Sequence, residues 1–519
     1  MRVQERAQNI AYRRAHSVPG DALFRRSRFH AAPPPDHRVQ GPSRSLLLLL
    51  AVTLFAASAT AQEVPFPSRQ PRPNIVFVLV DDLGIGQVGA YRANKIETPN
   101  LDKLAAQGVR FTDVYAGSSV CSPSRLALYT GRDARIQRAN DNSALLNRDD
   151  LTLPQVLRRA GYETYLVGKW GLGVHVGEND PMTLGFDHWF GELDNVVAHR
   201  QYPTRLYQDN RRVPIPENRA GARATLAHDL YTAQALAFIQ KPHPKPFFLM
   251  LAYTFPHAEL ASPADTYQQY ESAFEEVPYG GRRSPVASDR RYYPLPVDRP
   301  RAVHAGMVAA IDRDVGRLVA ALREAGLEDD TLFIFSSDNG PHRAGGADPD
   351  FFEASAPHRG LKRDLYEGGI RVPMIVRWPG EIEPGRVDET PWAFWDFLPT
   401  LSSIAGVNLA SVDGARTNGV SLLPLWRGDG TLPQRDLYWE LKLHIGDGTP
   451  SDFRQALRRG RWKVVRYGAD APVQLYDLKT DPGEVNDRSA DRPDIAQPMR
   501  EFLDAEVERR SRPGAARAR

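Results

Sequence analysis

The chain has 519 residues, and its 66 Lys and Arg nearly balance its 63 Asp and Glu, giving a formal net charge of +3. This balance gives no support for a nucleic-acid-binding surface, so nucleic acid is not expected as a partner. The apolar fraction of 42% is ordinary for a soluble globular protein, and the length allows two or three domains, or one large α/β domain with an appendage.

Residues 1–61 combine a long basic leader with a short apolar segment. Residues 1–44 are rich in Arg, Pro and His and are predicted to be unfolded. The apolar run Leu46–Ala57 is too short to span a bilayer comfortably, and the small residues Ala59-Thr60-Ala61 follow it. We therefore predict a signal peptide cleaved after Ala61, an exported (periplasmic or secreted) protein and no stable membrane span after cleavage; a membrane anchor is the alternative. Residues 62–73 are predicted to be a Pro-rich linker.

The region 74–424 alternates apolar strands with amphipathic helices. The continuous apolar run Asn74–Val80 is typical of a strand buried on both faces. Similar patterns predict further strands at 163–167, 246–254 and 331–335, and helices at 98–107, 153–160 and 304–325. This alternation predicts an α/β fold with a large mixed, mostly parallel sheet sandwiched by helices.

Each of the four predicted strands ends in polar side chains. These are Asp81 and Asp82, Lys169, His257, and Asp338 with Asn339, in chain order. Ligands of open α/β sheets bind beyond the carboxyl ends of strands, so four such ends can converge on one crevice. Taken singly, each end is equally well explained as a solvated turn. The Asp and Asn oxygens form a hard ligand set, which favours Ca²⁺ or Mg²⁺ over zinc or copper.

The only cysteine, Cys121, lies in the run Val120–Gly131. Pro123 suits the first turn of a helix, so Cys121 is predicted at a helix start, where free N–H groups and the dipole favour negative charge. Arg125 adds a permanent cation one turn on, which favours a nucleophile or anion-handling atom in a positive pocket. The alternative is a small buried core thiol, as most lone cysteines are.

The segment Cys121–Arg125, with Leu128, Thr130 and Gly131 behind it, resembles the signature of the sulfatase family. The resemblance implies that a formylglycine-generating enzyme oxidises Cys121 to formylglycine, whose hydrate is the nucleophile. It also implies one bound divalent cation, which is usually Ca²⁺; Mg²⁺ is the alternative. The implied metal ligands are Asp81, Asp82, Cys121 (as formylglycine), Asp338 and Asn339.

Further roles are implied by the same resemblance. The run Arg359–Pro373 resembles a second sulfatase motif, in which the lysine, here Lys362, contacts both the sulfate and the leaving oxygen. Lys169, His257 and Lys362 are thereby implied as catalytic and sulfate-binding residues. Arg125 and the lysines would stabilise the transition-state charge, and His257 or Lys362 would protonate the leaving oxygen. Without the resemblance, lysines are usually solvated, and His257 is equally well a surface or core-edge residue.

The turn after the strand at 163–167 departs from the family pattern. Many sulfatases read Lys-Trp-His there, whereas this chain reads Lys169–His175 as KWGLGVH, so the histidine that usually assists the formylglycine hydroxyl is missing. Either His175 or another group would have to replace it. This form, with Gly185–Asp187 and Ala198-His199 behind it, is similar to a branch of bacterial polysaccharide sulfatases. That branch often acts on galactose or N-acetylgalactosamine 4-sulfate, and His199 is implied as a sugar contact.

The composition changes after residue 424. Short alternating strands are predicted at 436–443, 461–467 and 473–478, and a closing helix at 495–508. Residues 425–510 are therefore predicted to form a smaller antiparallel α+β subdomain, which resembles the C-terminal subdomain of sulfatases, with a loose tail at 511–519. Earlier in the chain, the segment 206–301 carries aromatic residues that either stack on sugar rings or pack long surface insertions: Tyr267, Tyr270, Tyr279, Tyr292 and Tyr293.

The predicted function is hydrolysis of sulfate esters on a sulfated carbohydrate or aryl sulfate. One alternative is a phosphatase, phosphodiesterase or phosphonate hydrolase on the same fold. Sulfate carries less charge than a phosphate monoester, so one cation with two lysines fits sulfate better, and the motifs show no surplus ligands for a second cation. The other alternative is a non-catalytic glycan-binding relative, which would be expected to lose Cys121 or the acidic pairs.

Overall fold

The structure is a computed structural model that describes residues 72–93, 95–137, 141–281, 295–443 and 452–511. The predicted signal peptide, most of the linker, Tyr292, Tyr293 and all but the first residue of the tail lie outside these ranges. All the described residues belong to one compact unit. Within these ranges we find no helix with the length and apolar character needed to cross a bilayer.

The described residues form sixteen strands and eleven α-helices. The strands are β1 Asn74–Asp81, β2 Val109–Phe111, β3 Val114–Tyr115, β4 Glu163–Lys169, β5 His188–Glu192, β6 Arg205–Gln208, β7 Arg211–Pro214, β8 Phe247–Pro256, β9 Thr331–Ser337, β10 Met374–Arg377, β11 Arg386–Asp388, β12 Trp392–Ala393, β13 Asp436–Leu443, β14 Asp452–Arg459, β15 Trp462–Tyr467 and β16 Gln474–Asp477. The helices are α1 Pro99–Ala106, α2 Cys121–Thr130, α3 Ala134–Gln137, α4 Leu153–Arg159, α5 Ala227–Gln240, α6 Ala264–Gln268, α7 Pro300–Glu324, α8 Glu367–Ile370, α9 Phe397–Ile404, α10 Leu423–Arg427 and α11 Pro493–Ser511.

A ten-stranded mixed sheet has the order β11-β2-β10-β9-β1-β8-β4-β5-β6-β7. Its five central strands, β9 to β5 in that order, run parallel, whereas β10 and β6 on either side of them are antiparallel to their neighbours. The predicted fold class is confirmed. The four strands predicted to end in polar groups are β9, β1, β8 and β4, which are consecutive neighbours, so their carboxyl ends lie side by side at one edge of the sheet.

Strand β1 shows why a continuous apolar run was the right signal. Ile75, Phe77 and Leu79 pack into one core cluster with residues of α2 and α9, and the alternate residues Val76, Val78 and Val80 pack into another with α7. All six side chains are fully buried. Because helices cover both faces, neither face of the strand needs polar residues. Each such side chain contributes about 1.5–3 kcal/mol by leaving water.

The C-terminal segment forms a four-stranded antiparallel sheet, β13-β14-β15-β16. One face packs against the large-sheet region through Trp439 and Val465, and the other is covered by Met499 and Leu503 of α11. The sequence predicted three of these strands and missed β14, because its arginines interrupt the apolar alternation. In the structure Arg458 of β14 is buried and its charge is paired. The predicted boundary between residues 424 and 425 falls inside α10 and stays a prediction.

Candidate active site

Cys121 and the polar strand ends meet at the carboxyl edge of the central sheet. Cys121 is the first residue of α2, and its Sγ lies 3.4 Å from Asp81 Oδ1 and 3.3 Å from Lys362 Nζ. Ligand atoms of Asp81, Cys121, Asp82 and Asp338 all lie within 4.8 Å of one another. The structure thus brings together side chains from β1, α2, the turn after β9 and the loop before α8.

Helix α2 is fixed to this edge by the small polar residues around Cys121. Ser124 Oγ donates to the carbonyl oxygen of Asp338 at 2.6 Å, and Ser122 Oγ donates to that of Gly171 at 3.0 Å. The helix ends at Gly131, whose φ of +67° favours glycine, and all ten helical residues are buried. The Ser and Gly positions around Cys121 therefore set where position 121 lies relative to the strand ends.

The acidic side chains form a buried oxygen cluster. Asp81, Asp82 and Asp338 are fully buried, and so is Asn339, whose Oδ1 has no hydrogen-bond partner while its Nδ2 donates to Asp82 Oδ1 at 2.6 Å. Burial and the nearby charge of Asp81 raise the pKa of Asp338 to about 6. Crowded carboxylates beside an unpartnered amide oxygen fit a hard divalent cation, which all of these oxygens could coordinate.

Each carboxylate of the cluster also has a cationic partner. Lys169 Nζ donates to Asp81 Oδ2 at 2.7 Å, and Lys362 Nζ donates to Asp82 Oδ2 at 2.8 Å. Burial opposes the charge of Lys362, but Asp82 and its other anionic neighbours hold the pKa of Lys362 above its usual value. These two ammonium groups, that of Lys169 fully buried and that of Lys362 on a side chain that is 5% exposed, can neutralise a bound anion.

Arg125 directs its hydrogen bonds away from Cys121. Its Nε and Nη2 donate to Asp338 Oδ2 at 2.9 and 2.8 Å, and its Nη1 donates to the Lys169 carbonyl oxygen at 3.1 Å. Because a guanidinium bound in this way holds a carboxylate in a fixed orientation, Arg125 positions both Asp338 and the end of β4.

The environment of the Cys121 thiol differs from the one predicted. Burial, and next the charge of Asp81, raise the pKa of Cys121 to about 12, although Lys169 and Lys362 oppose them. The thiol is therefore neutral at physiological pH. The helix start and Arg125 predict a nucleophile or anion-handling atom in a positive pocket, but at the sulfur itself burial and the carboxylates outweigh these two positive contributions.

Two histidines lie against this cluster with their rings stacked. The ring centroids of His199 and His257 are 3.6 Å apart and the planes differ by 5°; a third ring, His342, lies 5.0 Å from His257. His199 Nε2 is 2.8 Å from Lys169 Nζ, and His257 Nε2 is 3.3 Å from Asp82 Oδ2. Burial, with the charge of Lys169 second, lowers the pKa of His199 to about 4, and burial also lowers that of His257. Both rings are neutral near pH 7.

Gly171, which stands where the family pattern has a histidine, lies directly beside the cluster. Gly171 has a φ of +73°, and a Cβ there would lie 3.2 Å from both Lys169 Cε and Asn195 Oδ1. His175 is exposed in the following loop, whereas a ring nitrogen of His199, the Asp81 carboxylate and Cys121 Sγ lie within 4.8 Å of one another. The structure therefore brings His199, and not His175, to the place beside position 121.

His342 was missed by the sequence analysis. It follows Asp338-Asn339 by three residues, and its Nε2 lies 3.3 Å from the carbonyl oxygen of Pro256, next to His257. Its place just beyond a strand-end motif was the available signal. Among the aromatic residues of the 206–301 segment, Tyr267 and Tyr270 pack against the core cluster that includes α7, as the packing alternative expects.

Comparisons with known proteins identify the family. Residues 73–407 match the sequence profile of the family described as Sulfatase, and residues 360–510 match that described as N-sulphoglucosamine sulphohydrolase, C-terminal. The fold and the clustered carboxylates, lysines and histidines are those of an enzyme that handles small anions. The first match covers more than half of the chain, so the chain belongs to the sulfatase family and is a sulfuric ester hydrolase.

Individual relatives include sulfatases of animals and bacteria. The chain is 32% identical over 408 residues to the N-acetylgalactosamine-6-sulfatase of Mus musculus, which covers 73% of this chain and 69% of the relative. It is 26% identical to the N-acetylgalactosamine-6-O-sulfatase of Bacteroides thetaiotaomicron, over 89% and 98% of the two chains. The crystal structure of Ps i-CgsB in complex with k-i-k-neocarrahexaose superimposes with a TM-score of 0.68 at 26% identity, over 83% and 93%. The predicted resemblance to bacterial polysaccharide sulfatases is confirmed.

Proposed function

We propose that this sulfatase hydrolyses sulfate esters of a sulfated carbohydrate, with galactose or N-acetylgalactosamine 4-sulfate as the expected unit, and also accepts aryl sulfates. Two relatives are named for N-acetylgalactosamine 6-sulfate, and a third was crystallised with neocarrahexaose, which supports a sugar substrate. The 4-position is proposed from the form of the Lys169–Gly173 turn. The observation that carries the proposal is the position of Cys121 Sγ between Asp81 and Lys362.

We further propose that one divalent cation is bound by Asp81, Asp82, Asp338, Asn339 and the side chain at position 121. The expected cation is Ca²⁺, with Mg²⁺ as the alternative. The crowded carboxylates and the unpartnered Asn339 Oδ1 support this ligand set. A bound cation would polarise the sulfate and offset its charge. Cys121 is proposed to be converted by a formylglycine-generating enzyme, and the hydrated aldehyde would supply the nucleophilic hydroxyl. A neutral, fully buried thiol is a poor nucleophile, which agrees with a need for conversion.

The surrounding side chains then have separable tasks. Lys169 and Lys362 hold the sulfate oxygens and balance the negative charge that grows in the transition state. A ring nitrogen of His199 accepts the proton from position 121, because the ring is neutral and one of its nitrogens lies within 4.8 Å of Cys121 Sγ. His257 or Lys362 donates a proton to the leaving oxygen. Arg125 keeps Asp338 oriented throughout.

The phosphatase alternative is disfavoured by where the two lysines lie. A two-cation site would need a second metal beside the same carboxylates, where His199 and His257 could also serve as ligands. Beside these carboxylates the structure instead has two ammonium groups: Lys169 Nζ lies 2.7 Å from Asp81 Oδ2, and Lys362 Nζ lies 2.7 Å from Asp82 Oδ1. Two single positive charges and one cation match a sulfate ester better than the more highly charged phosphate monoester.

The proposal is tested on protein from the native host, or on protein co-expressed with a formylglycine-generating enzyme. Mass spectrometry of the tryptic peptide Phe111–Arg125 should show formylglycine at position 121. The matured protein should hydrolyse p-nitrophenyl sulfate faster than p-nitrophenyl phosphate, and the Cys121→Ala variant should hydrolyse neither. Sulfate release from sugars sulfated at the 4- and the 6-position then assigns the substrate. An unmodified thiol in the native host, or a preference for phosphate, contradicts the proposal.

Export to the periplasm or the medium is proposed from the signal-like segment ending at Ala61. N-terminal sequencing of the protein recovered from each cell fraction tests it. A mature protein that starts at Gln62 and is absent from the cytoplasm is expected, and an uncleaved protein in the membrane fraction would favour the anchor instead.

A further inference from the structure

The carboxyl end of β8 leaves the regular strand pairing just before His257. In β1, Leu79 pairs with Ala252 of β8. The next pair joins Asp81 to Pro256, so over this interval β8 has two more residues than β1. A bulge of this kind disrupts the ladder locally and changes the direction of the side chains that follow it. Strand pairing alone therefore does not fix the position of the His257 ring, and other contacts must hold this segment.

His342 donates a hydrogen bond into this segment from the turn after β9. Its Nδ1 accepts the backbone N–H of Ala344 at 2.9 Å, so the ring is neutral and carries its proton on Nε2. That nitrogen lies 3.3 Å from the carbonyl oxygen of Pro256, which can only accept. Because β1 lies between β9 and β8, this bond crosses the end of β1. It joins the turn that carries Asp338 and Asn339 to the end of β8.

The ring of His342 also lies against the ring of His257. The two centroids are 5.0 Å apart and the ring planes differ by 20°. His342 is buried, with 4% of its surface exposed. It is therefore placed to act through His257 rather than on a bound substrate.

Gln201 holds the next carbonyl group of the same segment. Thr254 Oγ1 donates to Gln201 Oε1 at 3.1 Å, which directs Gln201 Nε2 toward the carbonyl oxygen of His257 at 3.3 Å. Gln201 and Thr254 are both fully buried. Gln201 follows His199 by two residues, and the backbone N–H of Glu259 donates to the carbonyl oxygen of His199 at 3.3 Å. The segments that carry the two stacked rings are thus bonded directly to each other.

We propose that His342 is a positioning residue that fixes the bulged end of β8 through its hydrogen bond to Pro256. The bond from Gln201 fixes the following carbonyl group. Together these bonds hold His257 Nε2 at 3.3 Å from Asp82 Oδ2. The inference rests on the proposed sulfatase function, in which His257 acts on the ester. A misplacement of about 1 Å can cost on the order of 100-fold in rate, so these bonds affect turnover more than their modest free energies affect folding.

Two substitutions separate the hydrogen bond of His342 from its ring. His342→Phe keeps a ring against His257 and removes the donor, whereas His342→Gln can place an N–H where Nε2 lies and removes the ring. Gln201→Met removes the second bond and keeps the side-chain length. His243→Phe is the matched control, because the side chain of His243 is 3% exposed and its Nε2 lies 2.8 Å from the carbonyl oxygen of Phe238. His243 precedes β8 and lies at the opposite end of this ten-residue strand, about 30 Å away.

Hydrolysis of p-nitrophenyl sulfate is measured on the matured proteins, and Tm shows that each variant is folded. His342→Phe and Gln201→Met should each lower kcat about tenfold or more and change KM by less than about threefold. His342→Gln should restore kcat to within about threefold of the unaltered enzyme, and His243→Phe should leave it unchanged. An unaltered kcat in His342→Phe overturns the proposal. So does an equal loss in His342→Phe and His342→Gln, which assigns the effect to ring packing, or a change confined to KM.

Crystal structures of the variants test the positioning without turnover. In His342→Phe the ring of His257 should move by about 1 Å relative to His199 and Asp82, and in His243→Phe it should not move. If His342→Phe does not fold, Gln201→Met provides the same comparison. A His257 ring that keeps its place in the folded variant contradicts the proposal. Failure of the proposed function is seen separately, as absence of p-nitrophenyl sulfate turnover in the unaltered, matured enzyme.

Discussion

Lys463→Met is expected to destabilise the protein in a pH-dependent way. The ammonium of Lys463 is fully buried, 2.8 Å from Glu367 Oε1 and 2.9 Å from Glu484 Oε1. Glu367 begins α8, five residues after Lys362, so this contact ties the segment carrying a site lysine to the C-terminal sheet. Methionine preserves much of the volume and removes the charge, leaving both carboxylates without their shared cation.

The size of the effect follows from what each carboxylate retains. Glu367 keeps the hydroxyl of Tyr115 at 2.7 Å and Arg371 Nη1 at 3.2 Å, whereas Glu484 keeps the Glu367 backbone N–H at 2.6 Å. One buried carboxylate is thus poorly compensated, and breaking such a pair costs about 3 kcal/mol, the low end of its usual range. For a domain of about 400 residues this lowers Tm by about 3 °C.

The assay is thermal unfolding at fixed Ca²⁺ at pH 5 and pH 8. The loss of Tm caused by Lys463→Met should be greater at pH 8 than at pH 5. At pH 5 Glu484 can bind a proton and become neutral, so it no longer needs the charge of Lys463. Lys479→Met, which removes an exposed lysine, is the control. A Tm of Lys463→Met equal to that of the control at pH 8, or a deficit greater at pH 5, would refute the reasoning.

Three further outcomes are expected. Burial raises the pKa of Glu484 from 4.5 to about 7. The stabilising contribution of Glu484 is therefore present below pH 4.5 and is lost as the pH rises through 7. The Tm of Glu484→Gln should fall less between pH 5 and pH 8 than that of the unaltered protein, by an amount equivalent to about 3 kcal/mol of unfolding free energy. Chelation by EDTA should lower Tm, and Ca²⁺ at 100 times its Kd should restore about 2.7 kcal/mol, whereas Asp82→Asn should weaken this response. His199→Gln should lower kcat about 100-fold or more on both p-nitrophenyl sulfate and sugar sulfates; a rise in KM confined to the sugar would instead assign His199 to sugar binding.

The prediction of the fold was most successful for strands that are buried on both faces, because such strands are continuous runs of apolar residues. Strands β1, β4, β8 and β9 are buried along almost their whole length, so each reads as an apolar run. Strands β2 and β10 have three and four residues, too few for a periodic pattern; β10 forms because β9 offers it an edge, and β2 forms on the edge of β10. Strand β14 was hidden by arginines whose charges are paired with other parts of the chain.

For the candidate site, the sequence by itself determined the chemical groups and their place at the ends of neighbouring strands. Asp81, Cys121 and Asp338 could be selected because motifs and strand ends are local features of the chain. Only the tertiary structure decided that Arg125 bonds to Asp338, that the Cys121 thiol is neutral, and that His199 rather than His175 lies beside it. Hydrogen-bond partners, desolvation and ring stacking join residues far apart in the chain, and no pattern within one segment encodes them.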